Sequence, residues 1–243
     1  MESQAIRISI INFSRSIGVY SLLRLFKNFR NTKRDSYSQT GEDILIKHYF
    51  DDEDFTYIDI GAGEPIIGSN TYLFYRSGRH GILVDPLRSN HLLTKILRPR
   101  DKAVCTLIGL GSVPLKFWEF EAYEYSTMDK QVASRILEEG KIKLKKVKNL
   151  EVMTLAEIVE LLPNRELPWF LSIDVEGSDL EVLKSFDFRN SRPRVICIED
   201  HAFIQNKSST QHEYMTSLGY GLVNKTSISL IYKDQFHGIK SGL

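Results

Sequence analysis

The sequence predicts an α/β domain with a mostly parallel seven-stranded sheet, helices on both faces and a C-terminal antiparallel hairpin. Short apolar runs alternate with amphipathic segments from about residue 55 to residue 218, which is the pattern of a parallel sheet with crossover helices. The runs read as strands are residues 55–60, 81–84, 102–108, 169–173 and 194–199. Residues 113–120 predict an extra strand, and residues 220–224 and 227–232 predict the hairpin.

Capping patterns place the helices between these strands. Thr154 and Glu157 have capping-box spacing, and so do Ser178 and Glu181. The first pair predicts a helix that ends at Pro163, and the second a helix that continues to about residue 186. The lysine-rich run at residues 141–148 is read as a solvated face, with a contact for an acidic or phosphorylated substrate as the alternative.

Length, charge and cysteine content narrow the class of protein. A chain of 243 residues with 42% apolar residues can bury a core without disulfides or metal. Residues 1–34 carry a net charge of +6, which leaves about −5 on residues 35–243 and argues against a nucleic-acid substrate. Cys105 and Cys197 fall inside predicted strands, so we expect buried reduced thiols and a cytoplasmic protein. We see neither a transmembrane segment nor a signal peptide.

The N-terminal segment is predicted to be a basic amphipathic arm. Its apolar residues recur at spacings of three and four, at Ile6, Ile10, Phe13, Ile17, Tyr20, Leu23 and Phe26. We divide the chain into this arm, residues 1–35, and one domain, residues 36–243. The arm either packs on the domain or forms a homo-oligomer, or it lies on an anionic membrane as an interfacial helix. A transit peptide is a further alternative because the segment is rich in arginine.

A glycine-rich turn follows the first predicted strand. Gly61, Ala62 and Gly63 would let the backbone approach a ligand closely. Asp85, followed by Pro86, ends the second strand, where an acid can accept hydrogen bonds from ribose hydroxyls. Both features occur in domains that bind NAD and in domains that bind S-adenosylmethionine.

The spacing around the turn separates these two cofactors. A dinucleotide fingerprint requires a third glycine at position 66, which is Ile here. Asp59 and Glu64 flank the glycines, and such acids suit the amino group and sulfonium charge of S-adenosylmethionine but repel phosphates. S-adenosylmethionine is therefore the expected cofactor. An NAD-dependent oxidoreductase and a non-catalytic module that binds S-adenosylmethionine are the alternatives.

Four motifs resemble those of the FkbM family of methyltransferases. They are SQTGED at residues 38–43, YIDIGAG at residues 57–63 followed by GSNT at residues 68–71, SIDVEG at residues 172–177 and IEDH at residues 198–201. The resemblance covers about residues 36–233. It implies a class I, Rossmann-like methyltransferase with strand order 3-2-1-4-5-7-6. It also implies methyl transfer to a hydroxyl oxygen of a sugar, glycan or secondary metabolite.

The resemblance also suggests further cofactor contacts. The motifs contribute Gln39, Ser69, Asn70, Thr71 and Asp174. After the third strand the chain has Gly109-Leu110-Gly111 in place of the acidic or amide residue often found near adenine. We therefore expect backbone amides of Gly109 and Gly111 to contact adenine.

The candidate catalytic residues follow the central strands, at the edge where ligands bind in such sheets. They are Asp174, Glu176, Glu199 and His201. His201 has the most suitable unperturbed pKa for a general base, although it is equally well a loop histidine with no role. Asp174 either acts in catalysis or contacts the cofactor, and Glu176 either acts in catalysis or fixes the turn before the next helix.

Two further roles stay open. A divalent cation on Asp174, Glu199, Asp200 and His201 is an alternative to a protein base, although no metal ligand is assigned. Gln39, Glu42 and Asp43 either close over the methionine end or the acceptor, or cap a helix over residues 44–50.

Overall fold

The computed structural model describes residues 19–50, 53–111, 113–189 and 191–236. Helices α1 to α9 are Val19–Arg30, Glu42–Lys47, Tyr72–Arg76, Arg88–Leu97, Lys130–Glu139, Leu155–Val159, Asp179–Lys184, His201–Ile204 and Thr210–Ser217. Strands β1 to β11 are Thr56–Ile60, Ile82–Val84, Lys102–Val104, Leu107–Ile108, Leu115–Phe120, Leu144–Leu150, Val152–Met153, Trp169–Ile173, Val195–Glu199, Tyr220–Lys225 and Ser229–Asp234. A 3₁₀ turn spans Tyr123–Tyr125.

The main sheet has seven strands in the order β3-β2-β1-β8-β9-β11-β10. The first five are parallel, and β11 runs antiparallel to both β9 and β10. Counted along the chain, these strands have the order 3-2-1-4-5-7-6. The predicted α/β fold, with its mostly parallel sheet, terminal hairpin and class I strand order, is confirmed.

Alternating side chains of the central strands pack against helices on both faces of the sheet. On one face Ile58, Leu171 and Ile196 meet side chains of α6 and α7. On the other face Tyr57 and Phe170 meet side chains of α2 and α3. All residues of β1 and β8 are buried, so these strands fix the loops that follow them rigidly in place.

The third predicted strand is divided, which corrects one expectation. β2 pairs with β3 only as far as Val104, because β2 itself ends at Val84. The chain then leaves the main sheet, and Leu107–Ile108 pairs with β7 instead. Cys105 lies at the break and is exposed, so the prediction of a buried thiol is wrong there, whereas Cys197 is buried in β9 as expected.

The lysine-rich run forms a strand that the sequence did not predict. Its residues 144–150 are β6, which pairs antiparallel with β5 outside the main sheet. Most of β6 is exposed. Lys145 and Lys148 lie 2.8 and 3.0 Å from the Glu119 carboxylate on β5, so the hairpin balances part of its charge internally.

One of the two predicted capping boxes is present. Thr154 and Glu157 bond reciprocally at the start of α6. At the start of α7, the Ser178 side chain accepts no capping hydrogen bond, so the second box is wrong. Asp179, the first residue of α7, instead fixes the turn before the helix, because its carboxylate accepts hydrogen bonds from the amides of Val175 and Gly177.

The arm is described only from Val19 onward, where α1 packs on the domain. Leu25 is buried against Leu93 of α4. The helix expected over residues 6–17 lies outside the described residues. Within the described ranges, no helix has the length and apolar character needed to cross a bilayer.

Arg98 is the largest of the fully buried side chains and joins the end of α4 to the loop after β1. Its Nε lies 2.6 Å from the Asp101 carboxylate, whose side chain is also fully buried. Its other donors reach the carbonyl of Pro65 and the hydroxyls of Ser69 and Thr71, each at 3.1 Å.

We predict that Arg98→Met lowers the free energy of unfolding by about 3–5 kcal/mol, because it leaves the buried Asp101 charge without its partner. Urea denaturation followed by circular dichroism measures the loss. Arg189→Met is the matched control, since Arg189 forms an exposed pair with Asp187. Equal effects of the two substitutions would contradict the prediction.

Candidate active site

A cleft opens at the carboxyl edge of the main sheet and encloses about 910 Å³ of space, part of it open to solvent. The strand ends contribute Gly61, Ala62, Gly63, Glu64, Asp85, Pro86, Asp174, Val175 and Glu176. Other segments contribute Gln39, Asn90, Thr106, Leu107, Ile108, Phe117, Tyr123, Thr127 and Met128. This is the edge at which parallel α/β sheets bind ligands.

The glycine turn is held directly against the neighbouring strands. The amides of Gly61 and Ala62 donate to the carbonyl of Val84, at 2.9 and 3.1 Å. Gly61 has φ +76°, and a Cβ atom there would lie 1.7 Å from the carbonyl oxygen of Asp174. Only glycine fits this position, because the turn packs directly on the backbone of Asp174.

Asp85 anchors the opposite wall. Its buried carboxylate accepts hydrogen bonds from the amides of Gly63 and Leu87 and from Asn90 Nδ2, at 2.9, 2.7 and 2.9 Å. Burial raises its pKa to about 6, and these hydrogen bonds oppose that rise. At neutral pH the group is therefore mostly ionised, the state in which a carboxylate accepts hydrogen bonds from hydroxyl groups.

Four residues expected to touch the cofactor lie beneath the turn instead. The Thr71 hydroxyl donates to Asp59 at 2.7 Å, Asn70 Nδ2 donates to the Ser172 hydroxyl at 3.1 Å, and Ser69 accepts from Arg98. None of these side chains lines the cleft. Asp59 lies within β1, and its side chain belongs to this internal hydrogen-bond network. The four residues were expected to contact the cofactor, but they support the turn from beneath instead.

Glu64 and the glycines after β4 also differ from expectation. Glu64 lines the cleft, but its carboxylate is paired with Arg24 at 2.7 Å and is not free for an amino group. Gly109 and Gly111 line a separate cavity, because the chain turns away from the main sheet after Ile108. Thr106, Leu107 and Ile108 occupy the expected place beside the cleft.

Three carboxylates gather at the ends of β8 and β9. Asp174, Glu176 and Glu199 each present an oxygen within 4.8 Å of the others, and the first two line the cleft. Burial and the neighbouring acids raise the pKa of Asp174 well above its usual value and that of Glu176 to about 7. Burial also raises the pKa of Glu199. A group with a pKa near 7 can both take up and release a proton at neutral pH.

The residues after Glu199 do not join this acidic group. Asp200 caps α8 through the amide of Phe203 at 2.9 Å and accepts a hydrogen bond from Ser209. The His201 side chain is 64% exposed, and its Nε2 lies 3.4 Å from Glu199. Neither residue lines the cleft, so the predicted base His201 and the cation set with Asp200 and His201 are not assembled. Of the four candidate catalytic residues, Asp174 and Glu176 line the cleft.

The N-terminal motif is divided between the cleft and the protein interior. Gln39 lines the cleft as predicted. The Asp43 carboxylate instead accepts from the amide of Tyr37, and Glu42 accepts from the amide of Thr40. These two acids therefore fix the segment that carries Gln39. Gly41, at the N-cap of α2, has no side chain with which to cap the helix.

Sequence reasoning missed the wall formed by the insertion between β4 and α5. Phe117, Tyr123, Thr127 and Met128 line the cleft from this segment. Its only signal in the sequence was the aromatic content of residues 117–125. The position of the wall depends on the β5–β6 hairpin and the 3₁₀ turn, which the sequence did not predict.

The family model of the methyltransferase FkbM domain matches residues 59–222, which include the turn, Asp85 and the acidic group. This chain belongs to the FkbM methyltransferase family. It is therefore an S-adenosylmethionine-dependent methyltransferase, and the alternative of an NAD-dependent oxidoreductase is set aside. Position 66, where a dinucleotide fingerprint has its third glycine, is occupied by the Ile66 side chain, which is buried against Tyr37 and Tyr72.

Among solved structures, the chain is similar to a TehB-like S-adenosylmethionine-dependent methyltransferase from Corynebacterium glutamicum. The two share 11% identity with a TM-score of 0.41, over 86% of this chain and 96% of the other. No curated protein sequence matches the chain.

The cleft of this FkbM methyltransferase fits the cofactor that its family implies. Gly61, Ala62 and Gly63 line it with backbone and a single methyl group, and Asp85 offers a carboxylate on the facing wall. We expect the turn to hold the methionine part and Asp85 to hold the ribose hydroxyls.

We predict that Gly61→Ala abolishes cofactor binding, because the added methyl group displaces the turn from Asp174. Isothermal titration calorimetry with S-adenosylmethionine measures the loss. Gly111→Ala is the matched control, since nothing lies within 4 Å of a Cβ built there. Retained binding in Gly61→Ala would show that the turn is not the cofactor loop.

Proposed function

We propose that this enzyme methylates a hydroxyl oxygen of a sugar, glycan or secondary metabolite. The observation that supports the proposal is the acidic group of Asp174, Glu176 and Glu199 beside the glycine turn. When bound, the cofactor supplies an electrophilic methyl group. A hydroxyl acceptor must also lose a proton, and the acidic group provides carboxylates to receive it.

Glu176 is the best placed of the three to act as the base. It lines the cleft, and burial raises its pKa to about 7. Its backbone has φ +54°, and the Thr127 hydroxyl donates to its carbonyl at 3.0 Å, which fixes the residue at the cleft wall. Local strain of this kind is found at functional sites more often than elsewhere.

Asp174 and Glu199 complete the negative environment. Any negative charge that the three carboxyl groups carry favours a neutral or cationic acceptor over an anionic one, because an added anion would be repelled in a partly buried site. Retaining several partly buried acids at one edge is costly for stability. This favours a catalytic enzyme over a module that only binds the cofactor.

A divalent cation on the same three carboxylates is the second candidate. Asp174 Oδ1 is buried and has no hydrogen-bond partner. A bound cation would lower the pKa of a coordinated hydroxyl directly, so that no protein base would be needed. The donor set of three carboxylate oxygens suits magnesium, calcium or manganese.

We predict that Glu176→Gln lowers kcat by about 10²–10⁴-fold, which is the usual contribution of a positioned base. The native rate should rise with pH through about 7, because the base must be unprotonated. A panel of sugars, glycans and secondary metabolites, assayed with a methyl-labelled cofactor, identifies the acceptor and gives the rates. Glu139→Gln, at an exposed acid paired with Lys141, is the control.

The position of the label and the effect of chelation decide between the candidates. Methylation of nitrogen or carbon would contradict the hydroxyl proposal. Loss of activity in EDTA that magnesium restores would favour the cation over Glu176 as the source of proton removal. Unchanged kcat in Glu176→Gln with no effect of EDTA would contradict both.

We also propose that the enzyme is cytoplasmic and that residues 1–34 hold it against an anionic membrane. Leu23 and Phe26 lie one turn apart on α1 and are 62% and 65% exposed. Lys27, Arg30 and Lys33 are exposed beside them. An apolar pair flanked by bases matches the chemistry of an anionic lipid surface.

We predict that the double variant Leu23→Ser/Phe26→Ser floats less with phosphatidylserine vesicles than the native chain does, because it loses the apolar contact. Vesicles of phosphatidylcholine alone are the control and should bind neither protein. Equal flotation of the two proteins would contradict the membrane proposal. If the native chain does not bind vesicles and the double substitution changes its oligomeric state, the surface formed by Leu23 and Phe26 is a contact with a second copy of the chain.

A further inference from the structure

We propose that α1 is part of the cofactor site and that Arg24 is its positioning residue, acting through Glu64, Asn90 and Tyr123. The proposal concerns cofactor binding alone and does not depend on the acceptor. Helix α1 precedes the residues that match the family, which begin at residue 59. It therefore adds to the cleft an element from outside the matched domain.

Arg24 joins three walls of the cleft. Its guanidinium is buried, with Nε 2.7 Å from Glu64 Oε1 and Nη2 2.7 Å from Asn90 Oδ1. The same group lies 4.4 Å from the centroid of the Tyr123 ring. All three partners line the cleft, and they come from the turn after β1, from α4 and from the 3₁₀ turn. One side chain thus fixes the spacing of three separate segments.

Neighbouring residues of α1 hold Arg24 in this position. Asn28, one turn later, donates hydrogen bonds to the second oxygen of Glu64 and to the carbonyl of Arg24. Leu25 is buried on Leu93 of α4. The helix is therefore anchored at Leu25 and Asn28, and the Arg24 guanidinium is pre-organised toward the cleft.

The contact continues from Asn90 to Asp85. While Asn90 Oδ1 accepts from Arg24, its Nδ2 donates to the Asp85 carboxylate at 2.9 Å. Arg24 also lowers the pKa of Asp85 through its positive charge, against the larger effect of burial. Tyr123 and Cys105 also interact electrostatically with Asp85, and Glu64 lines the same cleft.

These contacts give Arg24 an electrostatic function. Glu64 and Asp85 are both buried carboxylates at one cleft, and two uncompensated charges there would repel each other. Arg24 neutralises Glu64 directly, and its charge adds to the hydrogen bonds from Asn90, Leu87 and Gly63 that lower the pKa of Asp85. Its loss would leave Glu64 unpaired and let Asp85 take up a proton at a higher pH.

The test compares S-adenosylmethionine binding by full-length variants in calorimetry, at a temperature where circular dichroism shows each variant folded. Arg24→Met should weaken binding roughly tenfold to a hundredfold, which is the usual effect of losing a buried charge-assisted hydrogen bond. Arg24→Lys keeps the positive charge but not the planar guanidinium that donates to both Glu64 and Asn90, so this variant should recover part of the lost affinity. Arg189→Met, which removes an exposed arginine–carboxylate pair, should bind as the native chain does.

The pH profile separates positioning from simple stabilisation. Native affinity should fall as the pH drops through about 6, where Asp85 becomes protonated. In Arg24→Met this fall should begin at a higher pH. An unchanged dissociation constant and pH profile, together with a lower melting temperature, would overturn the proposal.

Hydrogen–deuterium exchange tests the native chain directly, whether or not Arg24→Met folds. Binding of S-adenosylmethionine should slow exchange of the backbone amides of α1, because the helix is joined to three walls of the cleft. Binding without any protection of these amides would also overturn the proposal. Absence of cofactor binding by the native chain would instead contradict the assignment of the cleft itself.

Discussion

The buried guanidinium of Arg98 is the interaction on which the cofactor cleft depends. The segment between β1 and α3 is irregular, so many of its polar groups have no partner within secondary structure. Arg98 uses its donors on Asp101, the Tyr57 hydroxyl and three groups of this segment. A planar group with fixed donors imposes one geometry on the segment, which in turn places the glycine turn against β2 and β8.

Charge organises the cleft that this geometry creates. Asp85 on one wall and Asp174 with Glu176 on the other give the cleft a negative lining. Such a lining suits a cofactor with a sulfonium centre and an amino group, and it disfavours phosphates. Because burial raises the pKa of Asp85 to about 6 and that of Glu176 to about 7, the same cleft also contains groups able to exchange protons near neutral pH.

The sequence predicted those features that depend on local pattern. Apolar runs predicted the central strands and the terminal hairpin, and glycine spacing with Asp85 predicted two facing walls of the cleft. Features that depend on which way a side chain points were less predictable. Asp59 stands two residues before Gly61, yet it faces the interior network with Thr71. His201 follows Glu199 just as closely, yet it is exposed.

Contacts between distant parts of the chain were beyond local pattern altogether. Arg24 and Glu64 are 40 residues apart, and α1 looked like a separate arm because its apolar spacing was the only visible signal. The wall that contains Tyr123 depends on β5 pairing with the lysine-rich β6, whose composition suggested a solvated face or a contact for an acidic substrate, but not a strand. These pairings decide the shape of the cleft, although each residue taken alone looks ordinary.

A crystal structure of the full chain with S-adenosylhomocysteine, the demethylated cofactor, tests the assignment of the cleft most directly. We predict that its ribose hydroxyls bond to Asp85 and that its homocysteine part lies on the turn of Gly61 to Gly63, with the sulfur facing the acidic group of Asp174, Glu176 and Glu199. Binding of the compound elsewhere, with the turn and Asp85 untouched, would contradict this assignment.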